Sequence, residues 1–251
     1  MSGHSKWSTI KRKKGAKDAQ RSKVWSRQIR EIAISAREGG GDPNGNSRLR
    51  SAILAAQASN MPKETIERAV KRGTGELEGV VYEEVGYEGY GPGGVAILVQ
   101  AQTDNKNRTV AEVRHVFAKY GGKLGTSGSV AFMFERQGQV VVDGERADVD
   151  SVMEVAVDAG ADDVVEEEGS IVVTCGADRL PAVAQSLQKA GLPVTSSEVA
   201  LVAQSSVKVT GKDAETLLKL INTLDDLDDV STVSANFDID DAEFKAINEN
   251  L

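Results

Sequence analysis

The chain has 251 residues, 40% hydrophobic and 27% charged, which suits a globular protein of one to three domains. A single cysteine, Cys175, excludes an internal disulfide and points to a reducing cytoplasm; no apolar run approaches the ~18 residues of a membrane span, and MSGHSKW has no secretory apolar core. The net charge of −8 hides two opposed parts, with 17 Lys and Arg against 6 Asp and Glu up to Gly75 and 13 against 32 beyond it, so one end is expected to meet a polyanion.

The run from Gly3 to Arg30 carries Lys6, Lys11, Arg12, Lys13, Lys14, Lys17, Arg21, Lys23, Arg27 and Arg30 against a single acid, Asp18. Phosphate attraction is almost unopposed there, and small residues between the charges suit a segment that orders on binding. With Trp7, these ten cations are the candidate nucleic-acid-binding residues. Trp7 and Trp25, the two tryptophans, could each stack on a base or anchor a helix to its core.

Trp25, Ile29, Ile32, Ala33 and Ala36 recur at the spacing of one helical face, with Lys23, Arg27, Arg30 and Arg37 on the opposite side, which is expected to face phosphate. Gly39-Gly40-Gly41 ends this helix and Asp42-Pro43-Asn44-Gly45 continues as a turn. A second short helix places Leu49, Ala52, Ile53 and Ala56 in register; a third opens at Pro62, buries Ile66, Ala69 and Val70, and stops at Gly73.

Beyond the linker Gly73–Gly79 the chain turns acidic and β-rich. Val95–Val99 reads as a strand, Thr109 opens a capping box for a helix burying Val110, Val113 and Phe117, and Val130–Phe134 reads as the next strand. The middle supplies a strand at 140–142, a helix at 149–159, strands at 163–166 and 171–174, a helix at 180–189 and a strand at 194–201, the ferredoxin-like β-α-β-β-α-β order. A tail of strand 207–209, helix 214–224 and strand 230–237 either completes a second such sheet with 95–134 or extends the middle module.

The expected fold class is therefore α+β, with three domains: a basic three-helix nucleic-acid-binding domain at 1–78, a discontinuous ferredoxin-like domain at 79–135 and 204–251, and an inserted ferredoxin-like domain at 136–203.

Three loops are candidate contact surfaces. Tyr87–Gly94 is glycine-rich, with Tyr90 and Gly91 at its centre, but it lacks the strand, helix and Lys-Ser/Thr pair of phosphate-binding fingerprints. In Thr103–Thr109, Asp104, Asn105, Asn107 and Arg108 exceed what a helix cap at Thr109 requires. Gly121–Ser129 reads as a flexible connector from which Lys123 could reach an anion. His4 and His115 lack metal-pair spacing, Cys175 reads as a buried thiol, and Asp225-Asp226-Leu227-Asp228-Asp229 reads as solvated loop charge. No catalytic residue, metal site or cofactor is expected.

The opening MSGHSKW, the loop YEGYGPGG at Tyr87–Gly94, TDNKNRT at Thr103–Thr109 and GG-x-L-G at Gly121–Gly125 resemble the YebC family, and the likeness covers nearly the whole chain. The resemblance implies a three-domain protein with a helical N-terminal domain and two α/β domains. It further implies either a DNA-binding transcriptional regulator or, by likeness to the mitochondrial translational activator of cytochrome oxidase, a ribosome-associated factor easing synthesis of proline-rich stretches. The implied partners are DNA or ribosomal RNA, with the ribosome or the transcription machinery, and no membrane. Two other classes fit less of the sequence: a nucleotide- or phosphate-ester-binding enzyme using Gly89–Gly94, and a protein-binding adaptor using the acidic domains.

Overall fold

The computed structural model describes residues 18–167 and 169–249. They form two compact units, one comprising 18–130, 209–233 and 240–249, the other 131–208 and 234–239. The fold is an α+β mixture of helices and mostly antiparallel sheets.

The first unit opens with α1 (Asp18–Gly39), α2 (Ser47–Ala58) and α3 (Lys63–Gly73). Ile32, Ala36, Leu49, Ala52, Ala56, Met61, Ile66 and Ala69 form their core, with Trp25, Ile29, Ile53 and Val70 packed against it. One buried side chain makes the turn between α1 and α2. Asn46 Oδ1 accepts from Leu49 N at 3.0 Å and caps α2, while its Nδ2 donates to Ser35 O at 2.8 Å and Gly40 O at 2.9 Å. Helix α3 crosses α1 so closely that a Cβ on Gly73 would lie 2.3 Å from Ala33 O.

The same unit holds β1 (Glu83–Tyr90), β2 (Ala96–Thr103), α4 (Lys106–Lys119), β3 (Lys123–Leu124), α7 (Gly211–Asp225), the first four residues of β9 (Val230–Ala235) and α8 (Asp241–Glu249). The sheet order is β3-β1-β2-β9. The tail strand thus joins the first sheet and does not extend the middle one. Two of the strands expected for this sheet, Val95–Val99 and 230–237, are found there as β2 and β9. The other two are not. Val130–Met133 is loop and a 3-10 turn, and β8 (Val207–Lys208) pairs in parallel with β10 (Phe237–Asp238) in a separate two-stranded sheet.

Their places are taken by β1 and β3, which lie largely where the sequence pattern reads as a glycine-rich loop and a flexible connector. Gly89 and Tyr90 pair with Leu124 and Lys123, and the buried Glu88 carboxylate accepts from Gly128 N at 2.6 Å and Val130 N at 2.7 Å. The 121–130 segment is therefore tied to the sheet rather than a loose connector.

The second unit is a β-α-β-β-α-β module: β4 (Phe134–Asp143), α5 (Val149–Asp158), β5 (Asp163–Glu167), β6 (Ser170–Gly176), α6 (Leu180–Lys189) and β7 (Val194–Ala203). Its antiparallel order, β5-β6-β4-β7, is the ferredoxin-like one. Expected strands at 130–134 and 140–142 overlap one long strand, β4, because Gln137, Gly138 and Gln139 continue the pairing with β6 and β7. Val140, Val142, Ile171, Val173, Val183 and Leu187 fill its core.

Candidate nucleic-acid interface

Lys6, Trp7, Lys11, Arg12, Lys13, Lys14 and Lys17 lie outside the described residues, and Arg21 falls within α1. Lys23, Arg27 and Arg30 recur along one side of α1 as the helical period requires, but that side does not face solvent alone. It meets the segment Asp225–Asp229 at the C-terminal end of α7. Lys23 Nζ lies 2.9 Å from Asp226 Oδ1. Arg27 donates to Asp225 O and lies 3.5 Å from its carboxylate; Arg30 donates to Asp228 O and lies 3.9 Å from the Asp229 carboxylate. The Arg30 guanidinium also sits 5.8 Å from the centre of the Tyr82 ring.

One expectation is corrected: the acidic run is not solvated loop charge, since it meets α1, where acceptors of the chain itself lie along the cationic side. Unsatisfied carbonyls and the negative dipole end of α7 draw cations to this place, and burial pushes the Arg27 guanidinium below its ordinary pKa.

Asp229, 4% exposed, is the most enclosed member of the run. It accepts from Arg108 Nη2 at 2.7 Å, Thr109 Oγ1 at 2.8 Å and Thr103 Oγ1 at 3.0 Å. Burial alone would raise its pKa, but these donors outweigh it and hold the carboxyl below its usual range. The TDNKNRT loop is thus largely a cradle for Asp229. Arg108 also pairs with Asp104 at 2.7 Å. Asn105, not Thr109, caps α4, its Oδ1 accepting from Arg108 N at 3.1 Å, because the helix begins three residues before the capping box. Asn107 is exposed on the first turn of α4.

The glycine-rich loop also serves packing. A Cβ on Gly89 would lie 2.7 Å from Lys123 O and from the Phe117 ring, and one on Gly91 would lie 2.9 Å from Ile97 Cδ1. The exposed Tyr90 donates its hydroxyl to Ser129 O at 2.9 Å, and Lys123 is exposed on β3. Two backbone donors of this loop are used within it, Gly91 N donating to Val95 O at 2.8 Å and Gly94 N to Gly91 O at 3.1 Å. Trp25 is an anchor, its Nε1 donating to Ser59 O at 3.2 Å.

Sequence reading missed Arg48. Its guanidinium joins Glu31 at 2.7 Å, Glu38 at 2.7 Å and Glu84, while Gln102 Nε2 donates to Glu31 Oε2 at 2.5 Å. Burial would raise the Glu31 pKa, yet the Arg48 and Gln102 hydrogen bonds lower it; Arg48 itself is raised by the same acids despite its burial. No local pattern marks such a hub, since its members are separated by as many as 71 residues.

Among the described residues no group of three His, Cys, Asp or Glu could hold a metal ion, and no helix is long and apolar enough to cross a membrane. Cys175 is buried, which pushes its thiol pKa up.

The model of the TACO1/YebC protein N-terminal domain matches residues 5–76, and that of the TACO1/YebC second and third domain matches 82–237. The chain belongs to the TACO1/YebC family. Within it, a probable transcriptional regulatory protein of Acidithiobacillus ferrooxidans is 56% identical, the match covering 97% of each chain. One from Thermotoga maritima is 51% identical, covering all of this chain and 99% of the other. A crystal structure of a conserved hypothetical protein from Aquifex aeolicus superposes with a TM-score of 0.84 at 46% identity, over 89% of this chain and 93% of that one. The TACO1/YebC fold is therefore shared well beyond sequence motifs.

Proposed function

We propose that this protein is a non-enzymatic, cytoplasmic regulator of gene expression of the YebC type that docks on nucleic acid through its basic N-terminal segment. The observation that carries the reading is the charge division. Lys6, Lys11, Arg12, Lys13, Lys14, Lys17 and Arg21 face one acid, Asp18, over 16 residues of a chain whose net charge is −8. Lys23, Arg27 and Arg30 have partners within the protein, so the primary phosphate contacts are assigned upstream of them. The names of the relatives support regulation, and duplex DNA and ribosomal RNA both offer the phosphate the segment requires.

Phosphate contacts give affinity without sequence information, so this segment supplies docking rather than base specificity. An irregular ribosomal RNA surface accommodates a Lys/Arg/Gly-rich segment more readily than a single groove, which favours the ribosome.

The test is salt-titrated binding to a duplex DNA and to a ribosomal RNA fragment. Replacing Lys11, Arg12, Lys13 and Lys14 by Ala is expected to weaken binding and to flatten the log-log salt slope by roughly 0.7 to 0.9 per lost phosphate contact. An unchanged slope would remove the segment as the docking element.

A further inference from the structure

Asp225–Asp229 lays oxygen atoms along α1 at the positions of Lys23, Arg27 and Arg30, as a phosphodiester backbone would, because guanidinium and ammonium groups take carboxylate, carbonyl and phosphate oxygens through the same charge-assisted hydrogen bonds. Three observations separate this contact from an optimised packing interface. Arg27 Nε is buried and has no hydrogen-bond partner, so the guanidinium is met from its Nη2 side only; a phosphate bound side-on would satisfy both nitrogens. Arg27 and Arg30 are met mainly through the Asp225 and Asp228 backbone oxygens, while the Asp225 and Asp229 carboxylates stand off at 3.5 and 3.9 Å, beyond the length of a charge-assisted hydrogen bond. The outermost pair, Lys23 and Asp226, is open to water, with the Asp226 side chain 78% exposed, so the contact weakens with salt from that end.

We propose that Lys23, Arg27 and Arg30 form a second phosphate-binding stripe, which Asp225–Asp229 covers as an internal mimic of the polyanion. The proposal rests on the basic segment being the docking element. A strand held by cations a few residues upstream is at high local concentration beside the stripe and displaces the acidic segment in competition. Asp229 stays with Arg108, Thr103 and Thr109, so the exchange is confined to Asp225–Asp228, in which Asp226 and Asp228 are exposed and Asp225 is buried at the end of α7. Affinity then measures the difference between nucleic acid and the chain's own acids.

The test uses the full chain with a 20-nucleotide single-stranded RNA and a 20-base-pair DNA duplex. In the uncovering variant, Asp226→Lys with Asp228→Lys, the side-chain pair to Lys23 is lost and the charge over the stripe is reversed, so that the main-chain oxygens of residues 225 and 228 alone remain to hold the segment there with the Asp225 carboxylate; Asp213→Lys with Glu215→Lys makes the same charge change at the other end of α7. The uncovering variant is expected to bind about 5-fold tighter than the control variant, with a salt slope steeper by about one to two units as phosphate contacts are added. Adding Lys23→Gln and Arg27→Gln is expected to abolish that gain, with a thermal melt confirming that each variant folds. In the unaltered protein, RNA is expected to speed amide hydrogen exchange at Leu227 and Val230, which now donate to Leu224 O and Leu227 O. Equal gains in both variants, no gain in the uncovering variant, or slowed exchange across 226–230 would overturn the proposal. If the unaltered protein binds neither nucleic acid, the docking reading fails by itself, and inorganic polyphosphate decides this one. Binding by the uncovering variant, lost with Lys23→Gln and Arg27→Gln, supports the stripe; no binding sinks it.

Discussion

Arg108 and Asp229, 121 residues apart, meet at 2.7 Å, and the carboxylate so held also takes Thr103 and Thr109 and lies 3.9 Å from Arg30. One side chain thereby joins the TDNKNRT loop, the end of α7 and the first helix.

Replacing Asp229 by Asn is expected to lower stability at neutral pH, since all three donors share Oδ2 and a neutral amide oxygen in its place lacks the charge that holds Arg108; losing a hydrogen bond to a charged group costs about 1.5 to 3 kcal/mol. The native carboxyl has a pKa below its unfolded value, so its contribution is fully present above about pH 4 and is lost as pH falls through the lower folded pKa. Thermal melts from pH 7 to pH 2 check this. The gap between the native protein and Asp229→Asn should be widest near neutrality and close on acidification.

Arg48→Met tests the second polar hub. Its removal leaves the partly buried Glu31 with Gln102 and Ser35 as hydrogen-bond partners, and the Glu31 pKa is expected to rise. Stability should fall by about 1 to 3 kcal/mol at pH 7. The loss should shrink at pH 2, as acidification passes through the folded pKa of Glu31, which Arg48 holds below the usual carboxylate range. Urea unfolding at the two pH values reads the difference.

Two glycines of β1 are expected to behave oppositely on substitution by Ala. At Gly89 a Cβ meets Lys123 O and the Phe117 ring at 2.7 Å, so crowding should cost about 1 to 3 kcal/mol. At Gly86 nothing lies within 4 Å, and the change should be neutral or stabilise by up to about 1 kcal/mol through the unfolded chain. Equal effects in denaturant titrations would contradict the packing role of the GYGPGG loop.

Trp25→Phe is expected to cost about 1 kcal/mol through the lost hydrogen bond to Ser59 O while leaving RNA affinity within 2-fold, because the indole is used inside the bundle. Fluorescence titration of this variant, in which Trp7 is the remaining tryptophan, also reports whether the basic segment contacts the strand.

The helices of the bundle, the β-α-β-β-α-β middle module and the split of charge are legible in the amino-acid order alone. Each is a local quantity: a 3.6-residue recurrence at Ile29, Ile32 and Ala36, valine runs at 140–142 and 171–173, and a count of lysines. What those faces meet was decided by the tertiary structure alone. The helical period places Lys23, Arg27 and Arg30 on one side, but their acceptors are some 200 residues away, at the end of a helix whose approach no spacing encodes. The same holds for the first sheet. Strand β1 contains Gly86 and Gly89 and β3 lies between Gly122 and Gly125, glycines that a local reading takes for turns, and Gly89 sits close to Phe117 and the Lys123 backbone where the two strands pair.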